Sequence, residues 1–325
     1  MIHYIIRRFL YAFPLLMGVN ILTFVLFFIV NSPDDMARMQ LGQKHVTGQA
    51  IGNWKHQHGY DEPLLWNADA QGGEKITRTI FYQKSVGLFL FRFGVSDSGR
   101  NIGADIQERM WPSLAVALPT LCVGLLVDIC FALMMVLFRG GYLEHAGVVL
   151  CVILMSISSL FYIIGGQFFI AKLLRLVPIS GYDNGMAAIK FLILPVLIGV
   201  FSGVGSGARW YRTLFLEEVE KDYVRTARAK GLTETQTLFR HVLRNAMIPI
   251  LTGVVVILPL LFMGSLIMES FFSIPGLGSY TIDAINSQDF AIVRAMVFLG
   301  SVLYVIGLLL TDISYTLVDP RVRLS

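Results

Sequence analysis

Six stretches of this chain, 10–30, 112–138, 146–170, 191–208, 247–268 and 292–311, are long, apolar and nearly free of charge. A helix of roughly 20 apolar residues crosses the hydrocarbon core of a bilayer. Backbone immersed in lipid must also satisfy its own polar groups, which leaves such a run little choice but a spanning helix. A soluble chain of 325 residues could bury a large core, but it would cover its outside with charge. Here 55% of the residues are apolar, only 15% are charged, and the mean hydropathy is +0.66. The sequence therefore predicts an all-α membrane protein with six transmembrane helices.

The charges that remain set its orientation. Arg7 and Arg8, Arg139, the basic residues between Arg209 and Arg244, and Arg321 with Arg323 all fall on one side of the predicted spans. Of the later loops on the other side, one holds Lys172, Arg175 and Lys190, and 269–291 holds no lysine or arginine. By the positive-inside bias both termini are cytoplasmic. The segment 31–110 is too long to vote, and its basic and acidic residues balance. The first apolar run is too long for a signal peptide and no small-residue cleavage site follows it, so it is expected to stay as an anchor. The net charge of +4 is accordingly a matter of topology and not of nucleic-acid binding.

Cys122, Cys130 and Cys151 all lie within predicted spans, at no metal-ligand spacing, and read as packing residues. The histidines form no metal-binding pattern, so no metal site and no catalytic residue are expected. Segment 31–110, the outer domain, carries Trp54, Tyr60, Leu64, Leu65, Trp66, Phe81, Tyr82, Phe89, Phe91 and Phe93, too many large apolar side chains for a disordered linker. The "NADAQGG" of 67–73 is turn chemistry. A small folded element is expected there, with helices either side of that turn, lying on the membrane surface or against something outside.

The inner loop 209–246 has stronger local signals. Asp222 is a suitable N-cap, 223–230 are good helix formers, and Lys230 sits at the carbonyl end where the helix dipole favours a cation. Gly231 then occupies the place of a left-handed residue. Thr233 with Gln236 makes a capping box that opens a second helix through about Leu243. A helix of about eight residues is marginal alone in water and needs a surface to pack on. Tyr223, Val224 and Ala227 share one side of it, while Arg225, Arg228 and Lys230 project around it. Two readings fit these residues: a solvated loop that holds topology, or a docking helix for a cytoplasmic partner.

The wording "DYVRTARAKG" closely resembles the cytoplasmic loop of ATP-binding-cassette importer permeases of the dipeptide/oligopeptide/nickel family. Arg225, Thr226, Ala227 and Gly231 hold the places of that superfamily's Glu-Ala-Ala…Gly pattern. "HGYDEPL" (58–64), "FGVS" (93–96), "VPISGY" (177–182), "ESFFSIPGLGSYTIDAINSQDF" (269–290) and "DISYTLVDPRVR" (312–323) match in order, so the resemblance covers most of the chain. The departures are Ser159 where the family usually has proline, the stretch 66–87, and the shortened "FRGGYLEH".

The resemblance implies the first, B-type, permease subunit of a bacterial inner-membrane importer that moves peptides or similar small solutes. It implies an outer, periplasmic domain 31–110 after the first helix (1–30), spans two to six within 111–311, and a cytoplasmic tail 312–325. Asp222, Tyr223, Arg225, Thr226, Ala227, Arg228, Ala229, Lys230 and Gly231 would form the coupling helix and its hinge. The partners implied are a second related permease, two ATPases, a periplasmic solute-binding protein and the bilayer, with no nucleic acid. No Gly-x-x-x-x-Gly-Lys-Ser/Thr loop occurs here, so ATP and magnesium would be bound by the ATPases and this chain would hold no cofactor.

Asp128 lies mid-span, where a carboxylate costs about 2.5–3.5 kcal/mol on insertion scales. It either pairs with a hydroxyl or a partner group, or faces the pathway and meets a substrate ammonium. In "GVGSG", Gly203 and Gly207 are four apart, the spacing of close helix packing. Pro119, Pro195 and Pro259 are expected to kink their spans. The rival class is an ion-gradient-driven secondary transporter or channel, which would carry several intramembrane charges and paired broken helices, where this chain shows one central carboxylate and a large docking loop.

Overall fold

A computed structural model of the chain describes residues 2–42, 46–183 and 185–318. Among them the secondary structure is helical apart from one isolated bridge between Val95 and Asn101. The principal helices are α1 (Ile2–Phe24, running on through Val30), α2 (Pro33–Leu41), α3 (Gly48–His58), α4 (Ile102–Leu137), α5 (Tyr142–Ser156) and α6 (Ser159–Leu173). After them come α7 (Ile189–Val219), α8 (Asp222–Ala229), α9 (Glu234–Met263), α10 (Leu266–Phe272), α11 (Leu277–Ser287) and α12 (Phe290–Val318). Within α1, α4, α7, α9 and α12 lie five helical stretches long and apolar enough to cross a membrane.

The predicted third span, 146–170, is not one helix. It is the pair α5 and α6, bent by 87° at Ile157 and Ser158, which are both extended. The serines there make the break tolerable. Ser156 turns its hydroxyl onto the Val152 carbonyl, and the Tyr162 hydroxyl donates to the Leu154 carbonyl at 2.9 Å, so carbonyls near the end of α5 find partners. The predicted fifth span, 247–268, also ends early. Gly264 has φ 66° and ψ −170°, a conformation open essentially to glycine alone, and it separates α9 from α10. The tail after Val318, with Arg321 and Arg323, lies outside the described residues.

The chain divides into two compact units: Met1–Arg109 with Tyr280–Leu309, and Met110–Ser279 with the described part of α12 from Leu310 on. In the first unit the outer segment is folded. Ser32 and Asp35 form a capping box at α2 with Pro33 at its first position, Thr47 caps α3, and Gly59 ends α3 in the left-handed region. Phe24, Phe28, Met36, Ala37, Trp54, Tyr60 and Ile80 make its core. Trp66, Tyr82 and Phe91 from the expected aromatic set are exposed instead.

Residues in or directly after three segments that carry the family resemblance meet in this unit. His58 Nε2 lies 3.2 Å from Asp97 Oδ1, and the Asp97 amide donates to Asp289 Oδ2 at 2.8 Å. Asp289 in turn accepts from the Ile292 amide and starts α12. His58 Nδ1 is 2.8 Å from the Trp54 carbonyl, which can only accept, so that nitrogen carries a hydrogen. Burial, and then the nearby Asp289 carboxylate, push the Asp97 carboxyl above its ordinary 3.8. A carboxyl raised in the folded state binds its proton more tightly there than in the unfolded chain. Its stabilisation is complete below about pH 4 and is lost as pH rises through the folded value. Asp97→Asn should therefore melt progressively closer to, or above, the unmodified protein between pH 4 and pH 7. A melting difference that stays constant over that range would contradict this protonation.

Candidate functional site

The inner loop builds the most developed surface of the second unit. Its short helix α8 begins one residue earlier than the sequence suggests. Lys221, extended at φ −70° and ψ 150°, is the N-cap, and Asp222 is the first helical residue. The Lys221 carbonyl accepts the first helical bond, from the Val224 amide at 3.0 Å. Asp222 still favours the helix, since its carboxylate sits in the first turn at the positive end of the dipole. At the other end Lys230 is the C-cap and Gly231 has φ 83°. The Gly231 amide donates to the Arg228 carbonyl at 2.9 Å and Leu232 to Ala227 at 3.3 Å, the paired bonds of a Schellman turn.

The faces of α8 separate cleanly. Val224 and Ala227 are 0% and 4% exposed, and Val224 belongs to a core with Phe215 and Val219 of α7, Leu238, Val242, Ala246 and Ile250 of α9, and Ala132, Leu133 and Val136 of α4. Three membrane helices thus meet under one short helix. Tyr223 is half-buried beside them. Its hydroxyl donates to the Glu218 carboxylate, and burial together with that neighbour pushes it up to about 12. The opposite face exposes Arg225, Thr226, Ala229 and Lys230.

Beyond Gly231 the capping box closes: Thr233 Oγ accepts from the Gln236 amide at 3.3 Å, and Gln236 Oε1 accepts from the Thr233 amide at 3.2 Å. The second helix does not end near Leu243, however. It continues as α9 to Met263. Leu238, Val242, Ala246 and Ile250 recur every four residues and all are buried, so the packed stripe gives the helix no reason to stop. Arg228 grips Glu234 with two contacts, Nε to Oε1 at 2.8 Å and Nη2 to Oε2 at 3.0 Å, across the glycine turn. A pair this exposed contributes no more than about 1 kcal/mol. The welding is done by Val224 and Ala227. A force on α8 is therefore passed through packed side chains to α4 and α7, and through Gly231 to the start of α9.

Asp128 lies apart from that surface, in the seam where α4 meets α7. A Cβ placed on Gly207 would come 2.0 Å from its Oδ2, while its Oδ1 is buried without a hydrogen-bond partner. Glycine packing holds elsewhere in this stretch, but not as the spacing suggested. Gly203 has open space around it, whereas a Cβ on Gly205 would stand 2.7 Å from the Cys151 carbonyl of α5. Gly205 and Gly207 are thus the close-approach positions.

Sequence reasoning missed a buried carboxylate clasp. Glu269 of α10, 1% exposed, accepts from the amides of Ser265 (3.2 Å), Gly278 (2.7 Å) and Ser279 (3.1 Å) and is hydrogen-bonded by the Ser113 hydroxyl of α4. Gly264, Gly276 and Gly278 crowd so closely round it that any Cβ would strike the carboxylate. The only signal in the sequence is the glycine pair of "PGLG" after an isolated glutamate. Arg212 pairs with Glu144 in the same unit, and Glu144 also accepts from the Gly140 amide at 2.6 Å. Among the described residues, no group of three or more His, Cys, Asp or Glu side chains is placed to hold a metal.

Comparison with known proteins places these features. Residues 129–324 match the family model described as the binding-protein-dependent transport system inner membrane component, and residues 1–69 match that of its N-terminal region. The dipeptide transport system permease protein DppB of Bacillus subtilis is 28% identical over 329 residues, covering 100% of this chain and 99% of the relative. A probable peptide ABC transporter permease protein, y4tP of Sinorhizobium fredii, is 30% identical with coverage of 98% and 99%. The glutathione transport system permease protein GsiC of Salmonella choleraesuis is 29% identical with 99% of each chain covered.

Proposed function

This chain belongs to the inner membrane component family of binding-protein-dependent transport systems, and from that premise we propose that it carries peptides or similar small solutes inward by alternating access, with α8 as its coupling helix. It is a multi-pass permease subunit of an ATP-binding-cassette importer and a transport subunit, not an enzyme. The family match leaves the ion-driven transporter without support. Peptides are the cargo read most directly from the relatives, two of which are named for dipeptide or peptide transport and one for glutathione, itself a short peptide.

The observation that carries the coupling role is the two-faced build of α8. Its inner face joins three membrane helices in one core, and its outer face offers Arg225, Thr226, Ala229 and Lys230 to a partner. That partner is an ATPase that binds ATP and magnesium. Two ATPases, a second related permease and a periplasmic solute-binding protein complete the assembly. When the ATPases close on nucleotide, α8 is carried as a rigid piece and the spans packed on it follow.

This reading requires the loop to be cytoplasmic, both termini to be cytoplasmic and 31–110 to face the periplasm. A cysteine replacing Asp69 should react with an impermeant maleimide added to spheroplasts, and one replacing Glu234 only after permeabilisation. The reverse pattern would overturn the orientation and the coupling assignment with it.

Asp128 is read as a pathway group, supported by a buried carboxylate oxygen with no hydrogen-bond partner among the described residues. Asp128→Asn should then cut peptide uptake roughly tenfold or more while assembly and basal ATPase activity stay nearly unchanged, the loss of one charged contact being worth about 1.5–3 kcal/mol. Loss of assembly would make it a structural pair, and wild-type uptake would remove it from the pathway.

A further inference from the structure

The interruptions of the third and fifth predicted spans converge on one cavity. Ser159, at the break between α5 and α6, lines it, and so do Leu260, Leu261 and Gly264, where α9 tightens and stops. The cavity measures about 420 Å³ and its other walls come from α4, α6, α7 and α10. Non-helical backbone at membrane depth persists where it is buried or lines a cavity, and secondary transporters build their substrate sites from discontinuous helices. The volume lies within the range of small-ligand pockets.

The chemistry of its walls defines what it takes. Thr120 and Ser202 spend their hydroxyl protons on carbonyls of their own helices, Val116 and Gly199. Glu269, at one end, has its carboxylate held by three amides and Ser113. What remains facing the space is largely the side chains of Val116, Leu121, Ile163, Ile198, Ile257 and Met268. A charged or strongly polar group would find few free partners here, whereas an apolar side chain would lose only water.

We propose that this cavity is a subsite for an apolar side chain of the transported peptide, with the Glu269 clasp fixing its α10 wall. The inference rests on the importer reading and adds to it a preference that this subunit itself imposes on the cargo. One or two methylenes in a hydrophobic pocket discriminate by about tenfold or more, so the effect is measurable.

The test uses the complete complex in proteoliposomes, with its own binding protein and ATPases, and radiolabelled Leu-Leu and Ala-Ala as probes. Ser202→Leu fills the cavity from α7. Each rate is divided by the wild-type rate for the same peptide, so the affinity of the binding protein cancels. The expected result is a loss of about tenfold for Leu-Leu with Ala-Ala changed less than about twofold. Equal losses for both peptides, or none for either, would overturn the subsite. Ser202→Cys gives a second reading should the larger residue prevent assembly: Leu-Leu should slow its modification by a small thiol reagent several-fold more than Ala-Ala does, and equal protection would overturn the proposal. A wild-type complex that carries neither peptide would instead overturn the cargo reading, and this inference with it.

Discussion

Gly231→Val is expected to leave the protein in the membrane and paired with the second permease proposed above, yet to abolish substrate-stimulated ATP hydrolysis. The reason is conformational. Gly231 has φ 83°, and a Cβ built there meets nothing within 4 Å, so the substitution adds strain without a clash. Side chains in that region cost about 1 kcal/mol, and β-branched ones more. Relief comes by swinging the chain out of its turn, which breaks the bonds from Gly231 to Arg228 and from Leu232 to Ala227 and misaims α8. The spans satisfy their backbones internally and do not need the turn. Because the cause is φ and not space, Gly231→Asn should recover much of the coupling, since asparagine tolerates the left-handed region. ATPase assay of reconstituted complexes with the two variants side by side decides it. Equal activity in both would remove the turn from the mechanism.

Val224→Asp should have the larger effect on assembly. Val224 is 0% exposed and sits against α7, α9 and α4 at once. A carboxylate there would be buried without a partner, at a cost of several kcal/mol. α8 can escape that cost only by leaving its seat, which removes the surface proposed to meet the ATPase. Co-purification of the ATPase should fall to background, whereas Arg225→Ala on the exposed face should retain most of it. ATPase retained at wild-type yield by Val224→Asp would show that the core beneath α8 does not position it.

What could be read ahead of the structure was what is written locally. The turn at Gly231 and the capping box of Thr233 and Gln236 each need only residues three to five apart, and both are present. The N-cap slipped by one because an extended Lys221 can offer its carbonyl as readily as Asp222. Continuity of α9 was hidden by Arg240 and Arg244, which look like a stop while the buried face passes beneath them. The bend at Ile157 has no proline or glycine to announce it, only serines in an apolar run. Longer-range features were invisible in principle: Glu269 is held in part by Ser113, and His58, Asp97 and Asp289 lie in three separate segments. Nothing in one sequence says that these residues meet.

A photo-crosslinking amino acid at Ala229 tests whether the exposed face of α8 is where the ATPase pushes, as proposed above. In the assembled complex, irradiation should join this chain to the ATPase subunit, while the same group at Asp69 should join it to no ATPase. Capture of the ATPase at Ala229 that changes in yield between nucleotide-free and ATP-bound complexes is the predicted result. No capture at Ala229, in complexes that still contain bound ATPase, would contradict the coupling role of α8.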